Sequence, residues 1–233
     1  MLPTDFIIQA RLNSSRLPGK VALILNNGTS VIQTLVNRLQ KYISTRKLKS
    51  KIFIACPESE EVFFKTLLKK DSCILVYGSE LNVAKRFDKV IKEHSVKQFL
   101  RITADNPYIC FDVIDYVMNA KINDSFLCLS TYHQKLLPNG TIVSKILPNF
   151  INKIMNSDCN LAKEHLVLTK DKYLSSFIEI PEIPKNLIWS EGRFCIDYLS
   201  DYFYVLSQQG IEELSTVQEY KAKLKARFDV KPY

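Results

Sequence analysis

Short apolar runs alternate with longer amphipathic stretches through the first half of the chain. The runs are typical of buried strands and lie at Phe6–Ala10, Lys51–Ala55, Cys73–Tyr77 and Lys97–Thr103. The stretches that follow the runs repeat apolar residues at helical spacing and predict helices over Val31–Tyr42, Glu58–Lys70, Leu81–His94 and Phe111–Lys121. Strands that alternate with helices predict right-handed crossovers and a mostly parallel, doubly wound α/β sheet.

The second half of the chain is less regular. Its pattern predicts a strand over Phe126–Ser130, helices over Phe150–Asn156, Ala162–Thr169 and Val217–Arg227, and a strand-like segment at Arg193–Ile196. Ser200 is a candidate N-cap for a helix through Ser207, with Gly210 as its stop signal. No internal repeat or clear linker divides the sequence, so we expect a single domain over residues 1–233.

Composition narrows the classes of protein that fit. The 233 residues are 46% hydrophobic, yet no apolar run approaches the roughly 20 residues of a membrane helix. The N-terminal sequence MLPTDF does not resemble a signal peptide, and the six cysteines are scattered without metal-binding spacing. We therefore expect a cytoplasmic protein with free thiols and no membrane contact.

The formal net charge of +8 fits an anionic partner. Much of the excess lies in Arg38–Lys51 and in the C-terminal tail, where it is typical of solvated helix ends. The chain carries no recognisable RNA-binding signature or helix-turn-helix, so a nucleic-acid partner is not expected.

The stretch from Ile7 to Lys20, IIQARLNSSRLPGK, joins a buried strand to a cationic loop. Arginine side chains can each donate two hydrogen bonds to phosphate oxygens, and a lysine supplies a point charge. Neither the P-loop pattern nor G-x-G-x-x-G is present, so side chains would form most of a phosphate site here. The relevant residues are Arg11, Ser14, Ser15, Arg16 and Lys20.

Two aspartates follow other apolar runs. Asp105 comes after the fourth predicted strand, and Asp197 ends the segment FCID. Two carboxylates together with phosphate oxygens hold Mg²⁺ readily, whereas one carboxylate rarely does. Asp105 can equally be a turn or helix cap, and Asp201 fits the first turn of the next helix.

QARLNSSRLPGK resembles the N-terminal signature of the cytidylyltransferases that make CMP-activated sugars. The resemblance continues, in order, through GSELNVAKRF, RITADNPYICFDVID, KEHL and FCIDYLSDY. The spore-coat-polysaccharide type of this family is the most similar, and CMP-Kdo synthetases are less so.

This resemblance implies a nucleotide-diphospho-sugar transferase (Rossmann-like) fold with a small inserted dimerisation or acceptor subregion. About residues 1–125 would form a nucleotide-binding half, and about residues 126–233 an acceptor and dimerisation half. It also implies CTP and a small acidic or phosphorylated acceptor as substrates, Mg²⁺, a homodimer, and a role in surface polysaccharide biosynthesis.

Carried over by position, the resemblance also assigns roles to residues. Arg11, Arg16, Lys20 and Asp105 would be catalytic, and Asp105 and Asp197 would hold Mg²⁺. The nucleotide would be bound by Gln9, Ala10, Arg11, Ser14, Ser15, Arg16, Lys20, Ser79 and Arg86. Glu164 and His165 would lie near the acceptor or the dimer contact.

The sequence departs from the family pattern where the acceptor is expected. Ile142 and Ser144 in PNGTIVS replace two acids that relatives often carry, so the acceptor and the choice between a CMP and a CDP product stay open. A glycosyltransferase that uses a nucleotide sugar is an alternative, although Asp105-Asn106-Pro107 lacks its D-x-D motif. A second alternative is a nucleotide- or RNA-binding module without catalytic activity.

Overall fold

The computed structural model describes residues 3–122, 125–131, 136–167, 171–189 and 191–228, with the backbone alone for 225–228. One seven-stranded sheet runs through these residues in the order β3-β2-β1-β4-β6-β5-β7. The strands are β1 (Asp5–Gln9), β2 (Ile52–Pro57), β3 (Ile74–Gly78), β4 (Phe99–Thr103), β5 (Cys128–Ser130), β6 (Ser144–Ile146) and β7 (Ile178–Glu179).

Helices cover both faces of this sheet. They are α1 (Val31–Thr45), α2 (Glu61–Leu67), α3 (Val83–His94), α4 (Phe111–Asn119), α5 (Pro148–Met155), α6 (Asn160–His165), α7 (Lys172–Ser175), α8 (Leu199–Ser207) and α9 (Val217–Phe228). Side chains alternate across a strand, so Ile8 joins the core beneath α1 and α4, whereas Ile7 joins the core beneath α3 and α5.

β1 is the strand at which the topology changes direction. It pairs in parallel with β2 on one side and with β4 on the other, so the crossovers leave it in opposite directions. Ligands of doubly wound sheets bind beyond the carboxyl ends of the strands at such a point. The loop after Gln9 and the turn after Thr103 meet there, since the Ala104 amide donates to the Gln9 carbonyl at 3.0 Å. The parallel pairing of β1, β2, β3 and β4 confirms the predicted mostly parallel α/β architecture.

The far side of the sheet differs from the sequence-based prediction. β6 and β7 were not predicted, and β6 runs antiparallel to both β4 and β5. The prediction of a strand-like segment at Arg193–Ile196 is wrong, because these residues form no strand. Arg193 forms an isolated bridge to Asn139.

Several predicted helix boundaries also need correction. The helix predicted over Glu58–Lys70 begins as a 3-10 turn, Glu58–Glu60, and continues as α2. α6 ends at His165 because Leu166 takes a φ of 60°, while Thr169 lies outside the described residues. Ser200 lies inside α8 and is not its N-cap. The Asp201 carboxylate accepts hydrogen bonds from the amides of Asp197 and Tyr198, so Tyr198 is the N-cap and the helix begins two residues before the predicted start.

A buried arginine ties α1 to the C-terminal part of the chain. The Arg38 guanidinium donates to the backbone carbonyls of Ile109, Glu212 and Leu214 at 2.7–2.9 Å, and to the Tyr220 hydroxyl at 3.1 Å. Within the described residues, no helix is long and apolar enough to cross a membrane.

Candidate active site

A cleft of about 440 Å³ opens at the carboxyl ends of β1 and β4, where the topology predicts a ligand site. Its walls bring together residues that are far apart in sequence. The lining includes Gln9, Arg11, Ser14, Ser15, Arg16, Lys20, Arg101, Asp105, Asn139, Gly140, Ile142, His165, Arg193, Cys195 and Asp197.

The centre of the cleft is an ion-pair cluster around Lys20. The Lys20 Nζ lies 2.5 Å from Asp105 Oδ2 and 2.9 Å from Asp197 Oδ1. Burial lowers the pKa of the Lys20 ammonium, but the two carboxylates outweigh that effect and leave its pKa raised. Lys20 is therefore a fixed cation that joins the two predicted metal ligands.

Two arginines complete this cluster around Asp197. Arg16 lies 2.7 Å from Asp197 Oδ1, and Arg193 lies 3.4 Å from Asp197 Oδ2. Arg193 also donates from Nε to Asp201 at 2.7 Å. Burial alone would raise the pKa of Asp201, but the hydrogen bonds from Arg193 and from two backbone amides leave it lowered, so Asp201 is ionised at neutral pH.

Backbone contacts hold the two aspartates in place. Asp105 follows β4, and its carbonyl accepts the amide of Ile196, the residue before Asp197, at 2.9 Å. Gly140 packs against the same segment with a φ of +99°, and a Cβ there would lie 2.3 Å from the Cys195 backbone nitrogen. Only glycine fits this close approach, so the PNG turn brings the distant FCID segment to the cleft.

The cationic loop is shaped by Glu60 and by a left-handed glycine. Glu60 accepts the amides of Leu12 and Asn13 at 2.7 and 3.2 Å, which fixes the loop directly after β1. Gly19 has a φ of 72° and donates to the Leu12 carbonyl at 2.9 Å. This turn returns the chain so that Lys20 faces the strand ends.

The other end of the cleft is tied to α6. Arg11 lies 3.1 Å from the Glu164 carboxylate, and Gln9 donates to the Glu164 carbonyl at 3.4 Å. The Gln9 Oε1 accepts from Arg101 at 2.8 Å, and His165 lines the cleft beside them. The predicted acceptor residues Glu164 and His165 therefore lie next to the strand end that carries the cationic loop.

Three predicted nucleotide-binding residues do not line the cleft. Ala10 is buried in the core, and its amide donates a hydrogen bond to the Ala55 carbonyl at 3.2 Å. Arg86 is fully buried and donates to the carbonyls of Ser79 and Glu80 at 2.6 and 3.1 Å, and Ser79 accepts the Asn82 amide. The structure gives Arg86 a supporting role in the loop after β3, and nucleotide binding by these residues stays a prediction.

Sequence reasoning assigned no role in the site to the cleft residues Arg101, Arg193 and Cys195. Arg193 could have been found, because it precedes Asp197 by four residues in the same short motif. Arg101 lies inside a buried strand, where no local pattern distinguishes it. Burial raises the pKa of the Cys195 thiol to about 12, so it is not a nucleophile at neutral pH.

The donor set suits a divalent cation bound jointly with a ligand. Two carboxylate oxygens converge on one point, which now carries the Lys20 ammonium, and hard oxygen donors are what Mg²⁺ prefers. No group of three or more metal-binding side chains occurs among the described residues. Asp105 and Asp197 therefore fit a metal whose remaining ligands come from substrate oxygens and water.

Comparisons with known proteins agree with this geometry. A family model described as cytidylyltransferase matches residues 6–138. The spore coat polysaccharide biosynthesis protein SpsF of Bacillus subtilis is 27% identical over 199 residues, which are 84% of this chain and 82% of that protein.

Solved structures resemble the fold over most of its length. A cytidylyltransferase from Leptospira borgpetersenii has a TM-score of 0.77 at 20% identity, with full coverage of both chains. A CMP:2-keto-3-deoxy-manno-octonic acid synthetase complexed with CTP has a TM-score of 0.59 at 13% identity, over 88% of this chain and 97% of that one. These likenesses confirm the fold expected from the sequence.

Proposed function

Because the chain belongs to the cytidylyltransferase family, we propose that it transfers the cytidylyl group of CTP to a small acidic or phosphorylated acceptor and releases pyrophosphate. The observation that carries the proposal is the convergence of Lys20, Asp105 and Asp197 at the mouth of the first strand. A triphosphate beside that cluster would meet the cations and hydroxyls of the loop and the carboxylates that can hold its metal.

The loop residues would bind the polyphosphate. The side chains of Arg11 and Arg16 are about half exposed at the cleft, so their guanidinium groups can donate hydrogen bonds to the phosphate oxygens of a nucleotide that enters it. Ser14 and Ser15 line the same wall and would add neutral donors. Asp105 and Asp197 would hold Mg²⁺, which supplies charge neutralisation on the phosphates when bound.

The chemical step needs positioning more than a covalent intermediate. An acceptor oxygen would form a bond to the α-phosphorus of CTP while the bond to the pyrophosphate oxygen breaks in line. Lys20 and Arg16 would balance the charge that develops on the leaving pyrophosphate. His165 lies in the cleft, but its contacts do not identify it as a general base.

The acceptor would bind where Arg101 and His165 line the cleft, on the side where Gln9 joins Arg101 to α6. Basic side chains there favour an acceptor with a carboxylate or phosphate group. The name of the Bacillus subtilis relative supports a product used in surface polysaccharide biosynthesis. As in the resemblance stated above, we propose that the active form is a homodimer.

A pyrophosphate-release screen tests this proposal. The four nucleoside triphosphates are each combined with Mg²⁺ and with a panel of sugar acids, alditol phosphates and small phosphorylated sugars. We expect release with CTP and one acceptor class, and its loss on chelation of the metal. CMP or UDP release from a preformed nucleotide sugar, with no pyrophosphate from CTP, would instead identify a glycosyltransferase.

A further inference from the structure

Lys20 stands at the position that a divalent cation would need. Its Nζ contacts one carboxylate oxygen of Asp105 and one of Asp197, and its side chain is only 9% exposed. A metal ion bridging the same two oxygens would have to displace the ammonium. The two cations therefore compete for one place.

The surrounding charges make this competition strong. Asp105, Asp197 and Asp201 are matched by Lys20, Arg16 and Arg193, all within 3.4 Å of a carboxylate partner. These six side chains balance in charge. A divalent cation entering alone would leave two uncompensated positive charges in a partly desolvated cluster, where charge interactions are several-fold stronger than in water.

The displaced ammonium of Lys20 can bind other anions in the cleft. Lysine carries a compact charge on a flexible stem, and Lys20 shares its cleft with Ser14, Ser15 and Arg16. A triphosphate placed there offers Lys20 new anionic partners. The negative charge of the triphosphate also compensates the incoming metal.

We infer that Lys20 is a built-in counter-ion that excludes a divalent cation from Asp105 and Asp197 until a nucleoside triphosphate takes over the ammonium. This inference rests on the proposed function, because it takes these two aspartates as the metal-binding pair. It adds that metal and nucleotide bind cooperatively, each favouring the other by the same factor.

Binding of Mn²⁺ to the purified protein, followed by electron paramagnetic resonance, tests the inference without any turnover. In the wild type with CTP, we expect Mn²⁺ to bind at least about tenfold more tightly than it binds to CTP in the absence of the protein. In Lys20→Met without CTP, we expect Mn²⁺ to bind at least about tenfold more tightly than in the wild type, because the competing ammonium is gone.

Two variants serve as matched controls. Lys20→Arg keeps a cation at the same position and should bind Mn²⁺ within about twofold of the wild type. Lys92→Met makes the same change of charge at a lysine that is 72% exposed and paired with Asp88, outside the cleft. It should leave Mn²⁺ affinity unchanged.

Equal Mn²⁺ affinity of Lys20→Met and the wild type would overturn the inference. If Lys20→Met does not fold, the wild-type measurement decides, since Mn²⁺ binding that is independent of CTP would also overturn it. Failure of the proposed function looks different, because it would show as absent pyrophosphate release. The tightened Mn²⁺ binding by Lys20→Met in the absence of nucleotide would then still be observable.

Discussion

Two buried cations, Lys20 and Arg86, have opposite electrostatic surroundings: Lys20 lies by the ends of β1 and β4, and Arg86 lies against the loop after β3. Lys20 touches two carboxylates, and their charges raise the pKa of its ammonium despite burial. Arg86 contacts two backbone carbonyls, while its Nε and Nη2 are buried without a hydrogen-bond partner among the described residues. Burial lowers the pKa of Arg86 to about 10, and the nearby charge of Arg11 adds to the effect.

The two cations differ in how completely they are partnered. A buried charge with a full set of anionic partners is held in one place and can be released only to another anion. A buried guanidinium with unpartnered nitrogens costs desolvation free energy that its carbonyl contacts repay only in part. We therefore expect substitutions at the two sites to change the free energy of unfolding by different amounts.

The largest effect is expected for Asp105→Asn. The change removes one carboxylate from the Lys20 cluster and from the proposed metal site, so the rate of pyrophosphate release should fall about 10²-fold or more. Asp88→Asn removes a carboxylate of α3 that pairs with Lys92 outside the cleft, and this control should keep its rate. A full rate in Asp105→Asn would rule out Asp105 as a metal ligand.

Lys20→Met should lower the free energy of unfolding by about 2–4 kcal/mol, because Asp105 and Asp197 lose their shared cation. Urea denaturation measures this, and Lys20→Arg should recover part of the loss. If Lys20→Met is as stable as the wild type, the ion pairs of Lys20 make no net contribution to folding.

Asp201→Asn should cost about 1–2 kcal/mol at neutral pH, because the carboxylate accepts from Arg193 and from two backbone amides. The folded pKa of Asp201 is lowered, so its contribution is present above the unfolded value near 4 and is lost as the pH falls through the folded pKa. Unfolding curves of both proteins should therefore converge below about pH 4. A constant difference in acid would show that the charge of Asp201 is not what stabilises the fold.

Arg86→Met is expected to have the smallest effect, a change below about 1 kcal/mol in the free energy of unfolding. Loss of two hydrogen bonds to the carbonyls of Ser79 and Glu80 is offset by relief of a poorly partnered buried charge. A loss of several kcal/mol in urea denaturation would contradict this and place Arg86 in the same class as Lys20.

The strands that could be predicted are those whose own residues form a recognisable sequence pattern. β1 and β2 are buried on both faces, so their continuous apolar runs identified them without any long-range information. β6 was missed because Lys145 interrupts its three residues, and its ammonium donates to the carbonyls of Met118 and Ala120, which are distant in the sequence. β7 has two residues, which is too short for any periodic pattern.

The site divides in the same way. The loop from Arg11 to Lys20 and the aspartates could be predicted, because cations and carboxylates at strand ends have a recognisable chemistry. That Lys20 would bridge both aspartates could not, since it depends on the Ile196–Asp105 hydrogen bond and on the approach of Gly140 to Cys195. Such contacts join segments that are far apart in the sequence.

The contacts of Arg38 have a consequence for synthesis of the chain on the ribosome. Two of its carbonyl acceptors and the Tyr220 hydroxyl come from residues 212–220, whereas Arg38 itself leaves the ribosome early. Until residues 212–220 emerge, the Arg38 guanidinium lacks three of the four native hydrogen-bond partners that the structure gives it. The first half of the chain therefore cannot complete its native packing around Arg38 until residues 212–220 have been synthesised.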